Sequence, residues 1–363
     1  MKVMVHHKPL SLLGFSLVEL LVSVSVLTLL AVIVAGMVNA TVSLSVTGRR
    51  HLDADSEARQ VFDSLAQDFG NMVGRSDVDC VFAKQSGNDA FFFFSEAPAF
   101  YSGTTAPSAK NTVALVGYRI NPDDSSPVLD RLGKSLTWDG KAVDQNTPGG
   151  VPFLSGTAPD FDTTSTITGI WGATIGTPAT RFNGSDENFH VIADQVLRFE
   201  VCFYVKDLTS PTGSKAIYSN YPVAYFGASA SNHTSLASTA PQSAQAGDRW
   251  YDPTNQRAYL CTGTRSDGPA WAPNGVNDVL GVVVTIAILD TNSRKLVPSR
   301  AYSALIGALA DPQETDLQTT PPHFVATTWN DFAKSTGQVA QTAGIPRTAA
   351  SQIRIYQRYF SLK

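Results

Sequence analysis

From Phe15 to Val46 the chain reads FSLVELLVSVSVLTLLAVIVAGMVNATVSLSV, a run in which Glu19 is the only charged residue. About 20 apolar residues in a helix cross the hydrocarbon core of a bilayer, so this segment has length to spare. The expectation is a single-pass membrane tether with the rest of the chain folded on one side. Before the run stands MKVMVHHKPLSLLG, short and mildly basic through Lys2 and Lys8. A secretory signal places its apolar region first and a small-residue cleavage site after it. Here the order is reversed. An ionisable group at the edge of an apolar span costs a few kcal/mol unless it is paired or reaches the interface, so Glu19 is expected to have a function.

The segment Gly14-Phe15-Ser16-Leu17-Val18-Glu19 resembles the processing motif of the type IV prepilin family. That resemblance implies cleavage after Gly14 by a prepilin peptidase, methylation of Phe15 as the new N-terminal residue, and a role for Glu19 in filament assembly. In the family the carboxylate meets the N-terminal amine of a neighbouring subunit, so charge pairing offsets desolvation and sets axial register. The plain alternative is an anchor helix with a glutamate near the headgroups. Lys2 and Lys8 precede the span and Arg49 and Arg50 follow it, so charge counting does not choose a topology. The resemblance does: leader in the cytoplasm, span in the inner (cytoplasmic) membrane, C-terminal head in the periplasm or otherwise outside. Val24, Ala31, Ala35 and Gly36 are small or β-branched residues on which neighbouring membrane helices would pack.

Past Gly48 the pattern turns amphipathic. Leu52, Ala58, Val61, Phe62, Leu65, Phe69, Met72 and Val73 recur mostly at three- and four-residue steps, with Arg49, Arg50, Asp53, Asp55, Glu57, Arg59, Asp63 and Asp68 mainly between them. One helix is expected to continue from the membrane to about Met72, with Gly70 and Gly74 marking its end. Beyond it, apolar or alternating runs bounded by Gly, Pro, Asn, Asp and Ser predict strands at Ala90–Ser95, Val113–Ile120, Val196–Val205, Val279–Leu289 and Ile353–Leu362. A long helix followed by mostly antiparallel strands is an α+β head in which the sheet packs on the helix's outer half. The expected division is leader 1–14, membrane and amphipathic helix 15–74, and β-rich head 75–363.

The helix end at Ala58 to Val73, the strand DQVLRFEVCFY at Asp194–Tyr204, the strand DVLGVVVTI at Asp278–Ile286 and the closing RIYQRYF at Arg354–Phe360 resemble minor pseudopilins of the J type from type II secretion systems. FFFFSEAPAFYSG at Phe91–Gly103 and VLDRLGKSLTWDG at Val128–Gly140 resemble the pilin-like family called Verru_Chthon cassette protein C, over nearly the whole chain. That second resemblance implies no biochemical activity. Long loops are expected at about 121–190, 206–277 and 310–350. Within 206–277, GDRWYDPTNQRAYLCTG at Gly247–Gly263 followed by Trp271 predicts a β-hairpin around a DPTN turn. Trp250, Tyr251, Tyr259 and Trp271 would serve either as a sugar or partner platform or as the hairpin's own miniature core.

No constellation for catalysis stands out. His6, His7, His51, His190, His233 and His323 show no metal-ligand spacing, and there is no nucleophile elbow, phosphate loop or dinucleotide fingerprint. Asp123 with Asp124 and Asp160 with Asp162 lack the spaced oxygens of a calcium loop and are expected to be solvated turns. Cys80, Cys202 and Cys261 form no CxxC pair. One disulfide is permitted outside the cytoplasm, with no pair chosen, and three small buried apolar side chains are the expectation. A net charge of −4 with no basic cluster in the head excludes nucleic acid as an expected partner. The chain is thus expected to be a non-enzymatic, cofactor-free assembly subunit of a secretion-type or pilus-like filament. Its partners would be prepilin peptidase, other pilins or pseudopilins through the N-terminal helix, and membrane lipid. The alternative is a surface- or tip-presented binding module using the aromatic hairpin.

Overall fold

The computed structural model describes residues 16–74, 80–84, 87–96, 110–121, 127–137, 188–206, 216–224, 234–254, 256–266 and 268–362. They fall in two compact units, Met1–Asp53 and Ala54–Lys363. Helix α1 (Leu17–Gly70) is a continuous 54-residue element that supplies residues to both. In the first unit its segment Leu17–Val42 is long and apolar enough to cross a membrane, with no part of that stretch buried by the protein. A secretory signal helix passes the same test of length and composition.

In the second unit the class is α+β, with three mostly antiparallel sheets. The first has five strands in chain order: β1 (Val81–Ala83), β2 (Ala90–Ser95), β3 (Lys110–Ile120), β4 (Leu129–Thr137) and β5 (Phe189–Ala193). The second is built from β6 (Val196–Lys206), β7 (Ala216–Ser219), β12 (Val279–Leu289) and β13 (Ile353–Ser361), in the order β13-β12-β6-β7. The third combines β8 (Thr234–Leu236), β9 (Arg249–Asp252), β10 (Arg257–Arg265) and β11 (Gly268–Pro273), in the order β11-β10-β9-β8 with β8 and β9 parallel.

The outer part of α1 buries Ala54, Ala58, Val61, Phe62, Leu65 and Phe69 in one core with β2, β3, β6, β12 and Phe360 of β13. Their three- and four-residue spacing puts them on one helix face. Phe69 lies 5.3 Å from the rings of both Phe93 and Phe360, centroid to centroid. Two features depart from the amphipathic reading. Leu52 is exposed, and Asp68, placed among the polar positions, is buried. Asp68 accepts from Arg131 Nε at 2.7 Å and from Arg131 Nη2 at 2.7 Å, and also from the Tyr118 hydroxyl. An ionised carboxylate survives burial when it is paired in this way.

The stretch 310–350, expected as loop, is helical. After α2 (Thr291–Arg294) and a 3₁₀ turn at Ser299–Ala301 come α3 (Tyr302–Ala308), α4 (Glu314–Leu317), α5 (Val325–Lys334), α6 (Thr336–Ala343) and α7 (Arg347–Ala350). They cover the other face of the β13-β12-β6-β7 sheet, packing Val325, Trp329, Val339 and Ala343 against Leu197, Ala287, Leu289 and Ile353. The period-two alternation of β6 and β12 supplies both cores, since successive side chains point to opposite faces. The expected loop 121–190 contains β4 and the start of β5 among its described residues. The hairpin expected within 206–277 is β9–β10, embedded in a larger sheet.

Candidate functional site

The N-terminal end of α1 is built by two short polar side chains. Ser16 N–H donates to Glu19 Oε2 at 3.1 Å, and Glu19 N–H donates to Ser16 Oγ at 3.3 Å. This reciprocal pair is a capping box, which satisfies two of the backbone donors that every helix start leaves open. In a lipid setting such unsatisfied donors cost several kcal/mol each, so the cap permits the helix to begin inside or at the edge of an apolar phase. The negative carboxylate also sits at the positive end of the helix dipole. Both residues are exposed, and no described side chain competes for Glu19. Ser16 is the residue that the sequence reading passed over, although S-x-x-E ahead of an apolar run is its signal. Gly14 and Phe15 lie outside the described residues.

Along the span the few hydroxyls are turned onto the helix's own backbone. Ser23 Oγ donates to the Glu19 carbonyl at 2.6 Å, Ser25 Oγ to Val22 at 2.8 Å and Thr41 Oγ1 to Met37 at 2.8 Å, and Thr28 Oγ1 bonds the Val24 carbonyl. Hydroxyls satisfied within the segment leave a surface that is mostly apolar around the helix. Leu17, Leu20, Leu21, Leu27, Leu30 and Met37 are all more than half exposed. Such a surface suits contact with lipid or with other helices.

The aromatic insert is packed largely on itself. Trp250 and Tyr259 stack at 4.6 Å, Trp271 meets Trp250 edge-on at 5.5 Å, and Trp250 Nε1 donates to the Ala237 carbonyl at 2.7 Å. Trp250, Tyr251 and Tyr259 are buried and Trp271 is half-buried. Tyr251 points away from the insert, donating its hydroxyl to the Phe82 carbonyl at 2.6 Å and lying 4.8 Å from the tilted ring of Tyr221 in the main core. Burial raises its pKa well above the ordinary tyrosine value.

The remaining buried charges serve as ties between elements. Lys84 bridges Asp89 at 3.2 Å and also bonds Glu200, while Arg198 lies 3.0 Å from Glu200, pairs with Asp311 and stands 5.1 Å from the Trp329 ring. Burial raises the pKa of Asp89 against the pull of Lys84 and Arg198, and lowers that of Arg198. This cluster links β6, the turn before β2 and the segment between α3 and α4. Among the described residues no group of three or more His, Cys, Asp or Glu side chains could hold a metal ion. His51, His190 and His323 are described; His6, His7 and His233 and the pairs Asp123, Asp124 and Asp160, Asp162 lie outside. Cys80, Cys202 and Cys261 are buried thiols with no disulfide, and burial pushes the Cys202 thiol up to about 12, which keeps it protonated and unreactive.

No family model, curated protein or solved structure matches the chain.

Proposed function

We propose that the chain is a type IV pilin-like subunit of minor-pseudopilin type. In this reading prepilin peptidase cuts between Gly14 and Phe15 and methylates Phe15. Leu17–Val42 holds the subunit in the cytoplasmic membrane with its head outside, and the exposed helix enters a secretion-type or pilus-like filament. The observation that carries it is Glu19, the sole charge in the apolar run, five residues after Gly14 and in the first turn of the helix.

The chemistry of that residue supports the reading. Glu19 Oε2 is used by the helix's own cap, which leaves Oε1 for a second donor such as the amine of a neighbouring Phe15. A carboxylate already aimed along the helix start loses little side-chain entropy when that amine arrives. The mostly apolar surface of Leu17–Val42 offers neighbouring helices van der Waals contact at Ala31, Ala35 and Gly36. Beyond Ala54 the outer part of α1 is fixed in the head by its own core.

The test is co-expression of the full chain with and without a prepilin peptidase, with the mature N-terminus read by intact and peptide mass spectrometry. A peptide beginning at methylated Phe15, appearing only with the peptidase, is the expected result. A parallel arm carries Glu19→Leu, which should still insert in the membrane and be cut yet fail to co-purify with sheared filaments. Retention of Met1, or cleavage beyond Ala35, would sink the reading.

A further inference from the structure

We propose that the outer edge of β13 receives a strand from a different protein subunit. That strand would be an extended polypeptide with acidic side chains on the face that carries Arg354 and Arg358. The inference does not depend on how the N-terminus is processed.

The backbone phase comes first. β13 ends the sheet and pairs with β12 residue for residue, from Gly281 opposite Ser361 to Leu289 opposite Ile353, without a bulge. Leu362 N–H donates to the Leu280 carbonyl at 3.0 Å, so even-numbered residues of β13 turn their N–H and C=O groups toward β12. The next strand pair agrees, since Leu289 N–H donates to the Gln195 carbonyl at 3.0 Å and odd-numbered residues of β12 therefore face β6. Ile355, Gln357, Tyr359 and Ser361 consequently aim their backbone groups away from the sheet. No described residue accepts a hydrogen bond from those N–H groups. Gln357, Tyr359 and Ser361 are exposed.

Open strand edges invite pairing, and proteins commonly blunt them. The other described edges are blunted. At the opposite side of the same sheet β7 has four residues, and where β6 extends past it two side chains act as plugs. Asn88 Oδ1 accepts from Phe199 N–H at 2.8 Å and Asp89 Oδ2 from Val201 N–H at 2.9 Å, while Asp89 N–H donates to the Phe199 carbonyl at 3.0 Å. In the other sheets β1 and β8 have three residues each, β5 pairs through a shifted register, and β11 contains Pro269 and Pro273. β13 has nine residues, with no proline, glycine or bulge.

The flanking side chains select the occupant. Arg354 and Arg358 share a face with Tyr356 and Phe360, the face turned to α1; Arg358 meets Asp63 at 3.2 Å and is still about half exposed. On the other face Tyr359 is 46% exposed, and it is the single aromatic among the exposed large apolar side chains described. Its ring lies over Gly281, where a Cβ would collide with it. A second β13 paired antiparallel would set arginine-bearing faces side by side, opposing like charges. A strand with carboxylates on the arginine side and an apolar residue beside Tyr359 meets both faces. This is strand addition to an exposed sheet edge, with main-chain bonds giving affinity and alternate side chains giving specificity.

The experiment uses the detergent-solubilised full chain and a fluorescent, end-blocked peptide of sequence TEVEVEVET. Saturable binding is expected, weakened by about tenfold or more in Gln357→Pro and by less than about twofold in Gln357→Ala. Proline at 357 removes an outward N–H that β12 does not use, so the ladder survives. A second control leaves the protein untouched: the peptide N-methylated at alternate residues on its inner edge should not bind. Amide exchange of the free protein should be faster at Gln357 and Tyr359 than at Arg358 and Phe360. Absent saturation, equal binding to Gln357→Pro, or slow exchange at all four amides would overturn the proposal. So would a concentration-dependent dimer lost in Gln357→Pro without peptide binding, which would make the occupant a second copy.

Discussion

Glu57 illustrates how one side chain reads differently in sequence and in structure. By periodicity it belongs to the polar face of α1, yet it is half-buried beside the β5–β6 turn, where it accepts Gln195 N–H at 2.7 Å. Burial raises its pKa from 4.5 to about 7, the nearby Asp194 adds to that, and the Gln195 bond and Arg294 oppose it. The native state therefore holds this proton more tightly than the unfolded chain. The associated stability is complete below about pH 4.5 and lost as pH rises to about 7. Glu57→Gln keeps an acceptor for Gln195 and removes the titration. The variant should match the parent at pH 4 and exceed it at pH 8 by about 1 kcal/mol, after discounting for solvent screening. That is a rise of about 2–4 °C in melting temperature. Melts at the two pH values check this, and an equal shift at both would refute it. Glu19 was legible from sequence because a charge in an apolar run is visible without a fold. The environment of Glu57 was not, since Asp194 and Gln195 reach it only through tertiary structure.

At the scale of elements, α1 is held by its last turns. Asp68 joins β3 and β4 through Tyr118 and Arg131, and Ser95 Oγ of β2 donates to the Asp68 carbonyl at 3.0 Å. The buried carboxylate and the burial itself raise the Tyr118 pKa well above its ordinary value, so the phenol stays a donor. Asp68→Asn removes the carboxylate that pairs with the buried Arg131 guanidinium, and breaking such a pair costs about 3–5 kcal/mol. Urea unfolding followed by tryptophan fluorescence should show a midpoint lowered accordingly, whereas the exposed Asp63→Asn should change stability by less than about 1 kcal/mol. Legibility also varies by element. β2 and β12 stand at the bounds their sequences predict, because continuous apolar runs ended by turn residues are local signals. The helices of 310–350 escaped notice because two are only four residues long and prolines at 312, 321, 322 and 346 break the pattern. The i, i+4, i+7, i+8 spacing of Val325, Trp329, Phe332 and Ala333 was a readable signal for α5. No local pattern announces the parallel pairing of β8 with β9.

For the whole molecule, the division at Asp53 and Ala54 predicts where the chain can be cut. Of the α1 residues in the main core the first is Ala54, so a fragment beginning at Arg50 keeps all of them and sheds the membrane-length apolar stretch. Burying a Val, Leu or Phe side chain stabilises by about 1.5–3 kcal/mol. Val61, Phe62, Leu65 and Phe69 together thus contribute on the order of the 5–15 kcal/mol that separates a folded domain from its unfolded state. The fragment 50–363 should therefore be soluble without detergent and unfold cooperatively. The fragment 71–363 lacks the helix that packs on Phe91, Phe93 and Phe360, and should be aggregated or without a cooperative transition. Circular dichroism melts and size-exclusion chromatography of the two fragments decide it. If 71–363 folded as well as 50–363, the outer half of α1 would be an addition to the head rather than part of its core.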